Sequence, residues 1–138
     1  MARVLVTGAN GFVGAAVCRH LKARGWTVRG SLRRAGGALP EGVEAVETGD
    51  IDGNSDWSAA LAGVDAVVHC AARVHVLRET SANPLADFRR VNVAASRRLA
   101  EQAQAAGVGH FVFLSSIGAV RAESEPAAAN PYQVSKLE

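Results

Sequence analysis

The chain has 138 residues, a net charge of +2 with His neutral, and apolar side chains at 49% of its positions; a chain of this size buries one core and not two, so a single domain over 1–138 is expected. The basic excess comes as arginine pairs, Arg33-Arg34, Arg89-Arg90 and Arg97-Arg98, with few aromatic residues, a distribution that fits solvated helix faces and argues against nucleic acid as a partner. No apolar run is long enough for a membrane span, residues 3–7 already read as strand instead of a secretory leader, and Cys18 and Cys70 read as small buried thiols, so a cytoplasmic protein without membrane contact, disulfide or metal is expected.

The first element is Arg3-Val-Leu-Val-Thr7, where Val4, Leu5 and Val6 form the continuous apolar run that a parallel sheet buries on both faces. It empties into Gly8-Ala-Asn-Gly11-Phe-Val-Gly14 and then into a helix expected over 11–24, in which Val13, Val17 and Leu21 recur four apart. A pyrophosphate can lie against a helix N-terminus only where no side chain blocks the amides and the turn tolerates positive φ. Strand, glycine turn and helix therefore read as a nucleotide site, with an ordinary tight turn as the plainer alternative. Glycine falls at every third position, a spacing different from the G-x-G-x-x-G of common dinucleotide-binding dehydrogenases.

Further strands are expected over 26–31, 44–48, 65–70 and 110–115, with helices over 55–62 and 84–106. Alternation of this kind gives an α/β fold, a doubly wound parallel sheet of the Rossmann type whose strands all point their C-terminal ends to one ligand-binding edge. After the fourth strand, His75 reads as a loop histidine. The alanine-, glutamate- and proline-rich stretch 121–129 reads as a loop beside a substrate or as plain linker. Then Asn130-Pro131-Tyr132-Gln-Val-Ser-Lys136 starts a helix, with Asn130 as cap and Pro131 preorganised for the first position. Tyr132 and Lys136 share one face, where an ammonium near the phenol favours the phenolate and suits it to acid/base work.

Thr7-Gly8-x-x-Gly11-x-x-Gly14 with Tyr132-x-x-x-Lys136 resembles the extended branch of the short-chain dehydrogenase/reductase family. Asp50-Ile51, His69-Cys-Ala71-Ala72, Asn92 and Ser115-Ser116 fall in the family's order between them. Within the branch the chain resembles the nucleotide-sugar epimerases, dehydratases and 4-keto reductases, the group of UDP-glucose 4-epimerase. The resemblance implies that Gly8, Gly11, Gly14 and the amides of Phe12 and Val13 hold the pyrophosphate. It implies that Asp50 accepts from the adenine amino group while the Ile51 amide reaches a ring nitrogen, and that Ala71 and Ala72 let the cofactor lie close to backbone. Asn92 is counted with the cofactor-binding residues, ordering the active site through backbone or water, with a satisfied core amide as the alternative. Ser116, in preference to Ser115, would bind the reacting sugar oxygen, Tyr132 would move its proton, and Lys136 would tune Tyr132 and hold the nicotinamide ribose.

Members that bind NAD usually carry an acidic residue at the end of the second strand, and Gly30-Ser31-Leu32-Arg33-Arg34 has none. Arg33 would attract a 2′-phosphate, so NADP is the preferred cofactor and NAD the alternative. The chain ends two residues past Lys136, where relatives continue into their substrate region, so a truncated cofactor domain is expected. The fifth strand would then be an open edge, exposing apolar surface suited to association, a homodimer included. Three readings stay open: a nucleotide-sugar epimerase, dehydratase or reductase acting by hydride transfer, a cofactor-binding fragment or sensor without turnover, and an NADPH-dependent reductase of a non-sugar carbonyl compound.

Overall fold

A computed structural model describes residues 2–74 and 79–138; His75 lies outside the described residues. Five strands, β1 (Arg3–Thr7), β2 (Thr27–Leu32), β3 (Glu44–Glu47), β4 (Ala66–His69) and β5 (His110–Phe113), form one parallel sheet in the order β3-β2-β1-β4-β5. The chain therefore runs outward from β1 to β3, then returns to the other side of β1 for β4 and β5. Such a reversal of strand order opens a crevice at the C-terminal ends of β1 and β4. Thr7 and His69, the last residues of these two strands, face each other in the register.

The alternation of β1 supplies both cores. Leu5 points to one face, against Trp57, Leu61, Val67 and Leu99, while Val4 and Val6 point to the other, against Cys18 and Val28. On the second face lies α1 (Phe12–Ala23), on the first α4 (Ala95–Ala105) and the short α2 (Ser58–Leu61).

Several expected elements differ in the structure. The helix expected over 55–62 is only the four residues of α2, because Gln102 Oε1 takes the Trp57 amide at 2.7 Å and the buried Arg29 guanidinium binds the carbonyls of Ala60 and Ala62, both at 2.8 Å. These carbonyls meet a cation in place of another turn. The helix expected over 84–106 is interrupted: α3 (Pro84–Arg89) passes into a π turn (Arg90–Ala94) before α4. Phe88, Asn92, Ala95 and Leu99 are nonetheless all buried, and the wide turn carries Asn92. π turns of this sort form where a functional or packing demand outweighs regular helix bonding.

The stretch 121–129 is not a loop. Its first part completes α5 (Ile117–Ser124), which Ser116 caps by accepting from the Gly118 amide at 3.1 Å, and Pro126–Ala128 forms a 3-10 turn. Alanine and glutamate are good helix formers, and Pro126, the proline of the stretch, falls beyond the helix end. Last comes α6 (Pro131–Leu137), opened by a reciprocal capping box between Asn130 and Gln133 with Pro131 at the first position. β5 is an outer strand, as expected, and is shorter than expected.

Candidate active site

A cleft of about 880 Å³ lies at the C-terminal ends of β1, β2 and β4. It brings together Gly8, Gly11, Phe12, Val13 and Gly14 from the glycine turn, Arg33 after β2, Asp50 and Ile51 after β3, and Ala71 and Ala72 after β4. Two of the glycines are required by geometry. Gly8 has φ +61, and a side chain there would also strike the Ala71 backbone at 3.0 Å. Gly14 packs its helix so tightly on the turn that a Cβ would sit 2.0 Å from the Gly8 carbonyl oxygen. The N-terminus of α1 has no side-chain cap and no acidic residue in its first turn, and Phe12 beside it is 96% exposed. Amides there carry the positive end of the helix dipole into the cleft, which fits a pyrophosphate.

At the rim, Arg33 and Asp50 form an ion pair, Nε to Oδ1 at 3.0 Å, with side chains 68% and 76% exposed. Two residues expected to engage different parts of a dinucleotide thus bind each other. Exposed pairs of this kind contribute about 0–1 kcal/mol, so a ligand can separate them.

Behind the cleft wall a buried polar chain ties β1 to β4. Thr7 Oγ1 accepts from the amides of Cys70 and Ala71, both at 3.0 Å, and lies 2.6 Å from His69 Nδ1; His69 Nε2 lies 2.9 Å from Ser96 Oγ on α4. Burial, helped by the Lys136 ammonium, pushes the His69 imidazole down to about 4.

The residues expected to do chemistry stand beside the cleft, on β5, α5 and α6. Lys136 is buried, donates from Nζ to the Leu114 carbonyl at 2.6 Å and lies 4.6 Å from the centre of the Phe113 ring. Burial lowers its pKa from the ordinary lysine value. Tyr132 is half-buried, its ring edge-on to Phe88 at 6.1 Å, and the Arg73 guanidinium lies 4.3 Å over that same Phe88 ring. Arg73 lines the cleft, so this stack leads from Tyr132 to the cofactor side. Ser116 is joined to α6 through Gly118, where a Cβ would meet Gln133 Cγ at 2.8 Å and Ser116 Oγ at 3.4 Å. Its hydroxyl accepts one bond and keeps its own proton to donate.

Asn92 is buried with its amide bonded, and its partners lie on the loop after β4 and on α6. Oδ1 accepts from the Arg73 amide at 2.8 Å, and Nδ2 donates to the Arg73 carbonyl and to Ser135 Oγ, both at 2.9 Å. Ser135 Oγ in turn donates to the Tyr132 carbonyl at 2.8 Å. Neither Asn92 nor Ser116, Tyr132 or Lys136 lines the cleft itself. Asn92 ties the strand-end loop to the tyrosine helix. Sequence reasoning missed Ser135, Ser96 and the bonding that joins Thr7, His69 and Ser96, although Thr7 and His69 each stood in a motif of the resemblance. Among the described residues no cluster suited to a metal ion occurs, and no helix is long and apolar enough to cross a membrane.

The NAD dependent epimerase/dehydratase family matches residues 4–138. The chain belongs to that family. It is 38% identical to the UDP-glucose 4-epimerase of Vibrio cholerae over 115 residues, 83% of this chain and 34% of the relative. It is also 38% identical to sterol demethylase protein B of Methylococcus capsulatus over 136 residues, 97% of this chain and 40% of the relative. Among solved structures, MoeE5 in complex with UDP-glucose and NAD superposes with a TM-score of 0.77 at 32% identity, covering 99% of this chain and 46% of its own. The chain thus spans about a third to a half of the length of these proteins.

Proposed function

We propose that residues 1–138 are the cofactor-binding domain of an NAD(P)-dependent nucleotide-sugar enzyme, an epimerase, dehydratase or 4-keto reductase. The observation that carries this reading is the cleft built by Gly8, Gly11 and Gly14 at the uncapped start of α1. A bound nicotinamide would take or give the hydride. The amides of Phe12 and Val13 bind the pyrophosphate, Asp50 and Ile51 hold the adenine, and Ala71 and Ala72 form the wall beside it. Ser116 donates its hydroxyl proton to the reacting sugar oxygen, Tyr132 moves the proton at that oxygen, and Lys136 holds the ribose while keeping a cation one turn from Tyr132. The relatives named for UDP-glucose support the sugar class.

Arg33, with no carboxylate at the end of β2, favours NADP; its pair with Asp50 competes with a 2′-phosphate and draws the preference back toward NAD, the cofactor bound in MoeE5. A modest preference for NADPH over NADH is therefore expected. A non-sugar carbonyl substrate is the second reading, supported by the equal identity to sterol demethylase protein B. Relatives named for such different compounds match this chain at equal identity, so residues 1–138 do not by themselves distinguish the two substrate classes. The intact Ser116, Tyr132 and Lys136 set argues against a sensor without turnover.

Calorimetric titration of the 138-residue chain with NADPH and with NADH tests the reading. Saturable binding of either supports it; a folded chain that binds neither overturns the cofactor assignment.

A further inference from the structure

The Thr7 hydroxyl has three neighbours, and its chemistry leaves one way to satisfy them. A hydroxyl oxygen offers two lone pairs and one proton. The amides of Cys70 and Ala71 can only donate, and together they take both lone pairs. The proton must then point at His69 Nδ1, 2.6 Å away, which therefore carries none. The one proton of a neutral imidazole is left on Nε2, where Ser96 Oγ accepts it at 2.9 Å.

This chain sits at the point where the cleft is narrowest in its tolerances. The Ala71 backbone is what a side chain on Gly8 would strike, so the wall after β4 and the glycine turn after β1 are already at closest approach. The hydroxyl that clamps the wall belongs to the residue immediately before Gly8. His69 is fully buried, with Phe111 and Phe113 of β5 on one side and Ser96 of α4 on another. The charged or titratable groups near it are Lys136 on α6 and the adjoining Cys70.

We propose that His69, fixed as the neutral Nε2–H tautomer, is a positioning residue for the cofactor cleft: it orients the Thr7 hydroxyl, which holds the Cys70 and Ala71 amides across from Gly8. The proposal rests on the reading of the cleft as a dinucleotide site. An imidazolium would present a proton at Nδ1, leave the Thr7 proton without an acceptor and loosen the clamp. Its depressed pKa agrees with a ring kept neutral.

Two substitutions at Thr7 separate positioning from packing. Thr7→Val keeps the buried shape and removes the hydroxyl, whereas Thr7→Ser removes a methyl and keeps the hydroxyl. In the 138-residue chain, Thr7→Ser is expected to bind the preferred dinucleotide nearly as the parent does and Thr7→Val about tenfold more weakly, because the three bonds of the hydroxyl are lost and the wall they hold is loosened. A packing role gives the reverse order and overturns the proposal. Nitrogen-15 NMR of the parent chain at neutral pH should show His69 protonated on Nε2 alone, and an Nδ1–H ring or an imidazolium overturns the proposal even if Thr7→Val does not fold. If the parent binds neither dinucleotide, the cofactor reading has failed on its own. Hydrogen exchange at the Cys70 and Ala71 amides then decides the clamp: protection kept in Thr7→Ser and lost in Thr7→Val supports it, and protection unchanged in Thr7→Val overturns it.

Discussion

The two sides of the sheet hold their functional residues by different means. Around β1, sterics and buried hydrogen bonds leave the backbone no freedom: Val4, Leu5 and Val6 are sealed, Gly14 touches the Gly8 carbonyl, and Thr7 clamps the start of the β4 loop. Around β5, where the chemistry is expected, Phe111, Val112 and Phe113 are 36% to 51% exposed. Ser116 and Tyr132 there depend on caps and a few ties, notably Asn92 to Ser135 and Lys136 to Leu114. The glycine cradle is thus preformed by its own packing, whereas β5 and its helices leave apolar residues open on their side of the sheet.

The largest contrast comes from one small substitution on each side. Gly14→Ala places a Cβ in the Gly8 carbonyl and is expected to destabilise by about 3 kcal/mol, together with loss of dinucleotide binding. Val112→Thr on exposed β5 should change stability by no more than about 0.5 kcal/mol. Chemical denaturation of both variants checks this, and equal losses would erase the contrast. Next in size, Tyr132→Phe in an enzyme that includes the substrate region should lower turnover about 100-fold or more while cofactor affinity stays nearly unchanged, since only proton transfer is lost. Steady-state kinetics with parallel titrations measure both, and a variant that keeps most of its rate removes Tyr132 from the chemistry.

Acid should act on the rigid side through His69. Its ring titrates near 6.5 when unfolded and at about 4 when folded. The unfolded chain thus binds the proton first as pH falls, so stability is full above 6.5, declines through the window down to about 4 and levels off below it. The slope from this one group is on the order of 1.4 kcal/mol per pH unit. Denaturation across that range should show it, and His69→Asn should flatten it. The smallest effect is at the exposed rim. Asp50→Asn frees Arg33 and should raise the preference for NADPH over NADH by about two- to fivefold, while Arg33→Ala lowers it, as befits an exposed pair. A ratio unmoved by both variants would mean that Arg33 does not read the phosphate.

Features whose causes lie within one turn of chain were legible from the residues. Val4, Leu5 and Val6 announce a buried strand, Gly8 and Gly14 a turn that admits no side chain, and Asn130 with Pro131 a helix start. Composition misled where it stood in for helix propensity, as in 121–129, whose first residues, rich in alanine and glutamate, complete α5. The remaining features needed partners distant in the chain. Thr7 meets His69 across 62 residues, Arg29 caps α2 from about 30 residues away, and Asn92 reaches Ser135 across 43. Strand order and register create these meetings, and no local pattern encodes them. The glycine turn and the tyrosine helix were therefore written in short-range sterics and capping. The Arg33–Asp50 pair, the π turn under Asn92 and the tautomer of His69 were decided only when the parallel sheet brought distant residues together, because a buried hydrogen bond depends on what packs beside it.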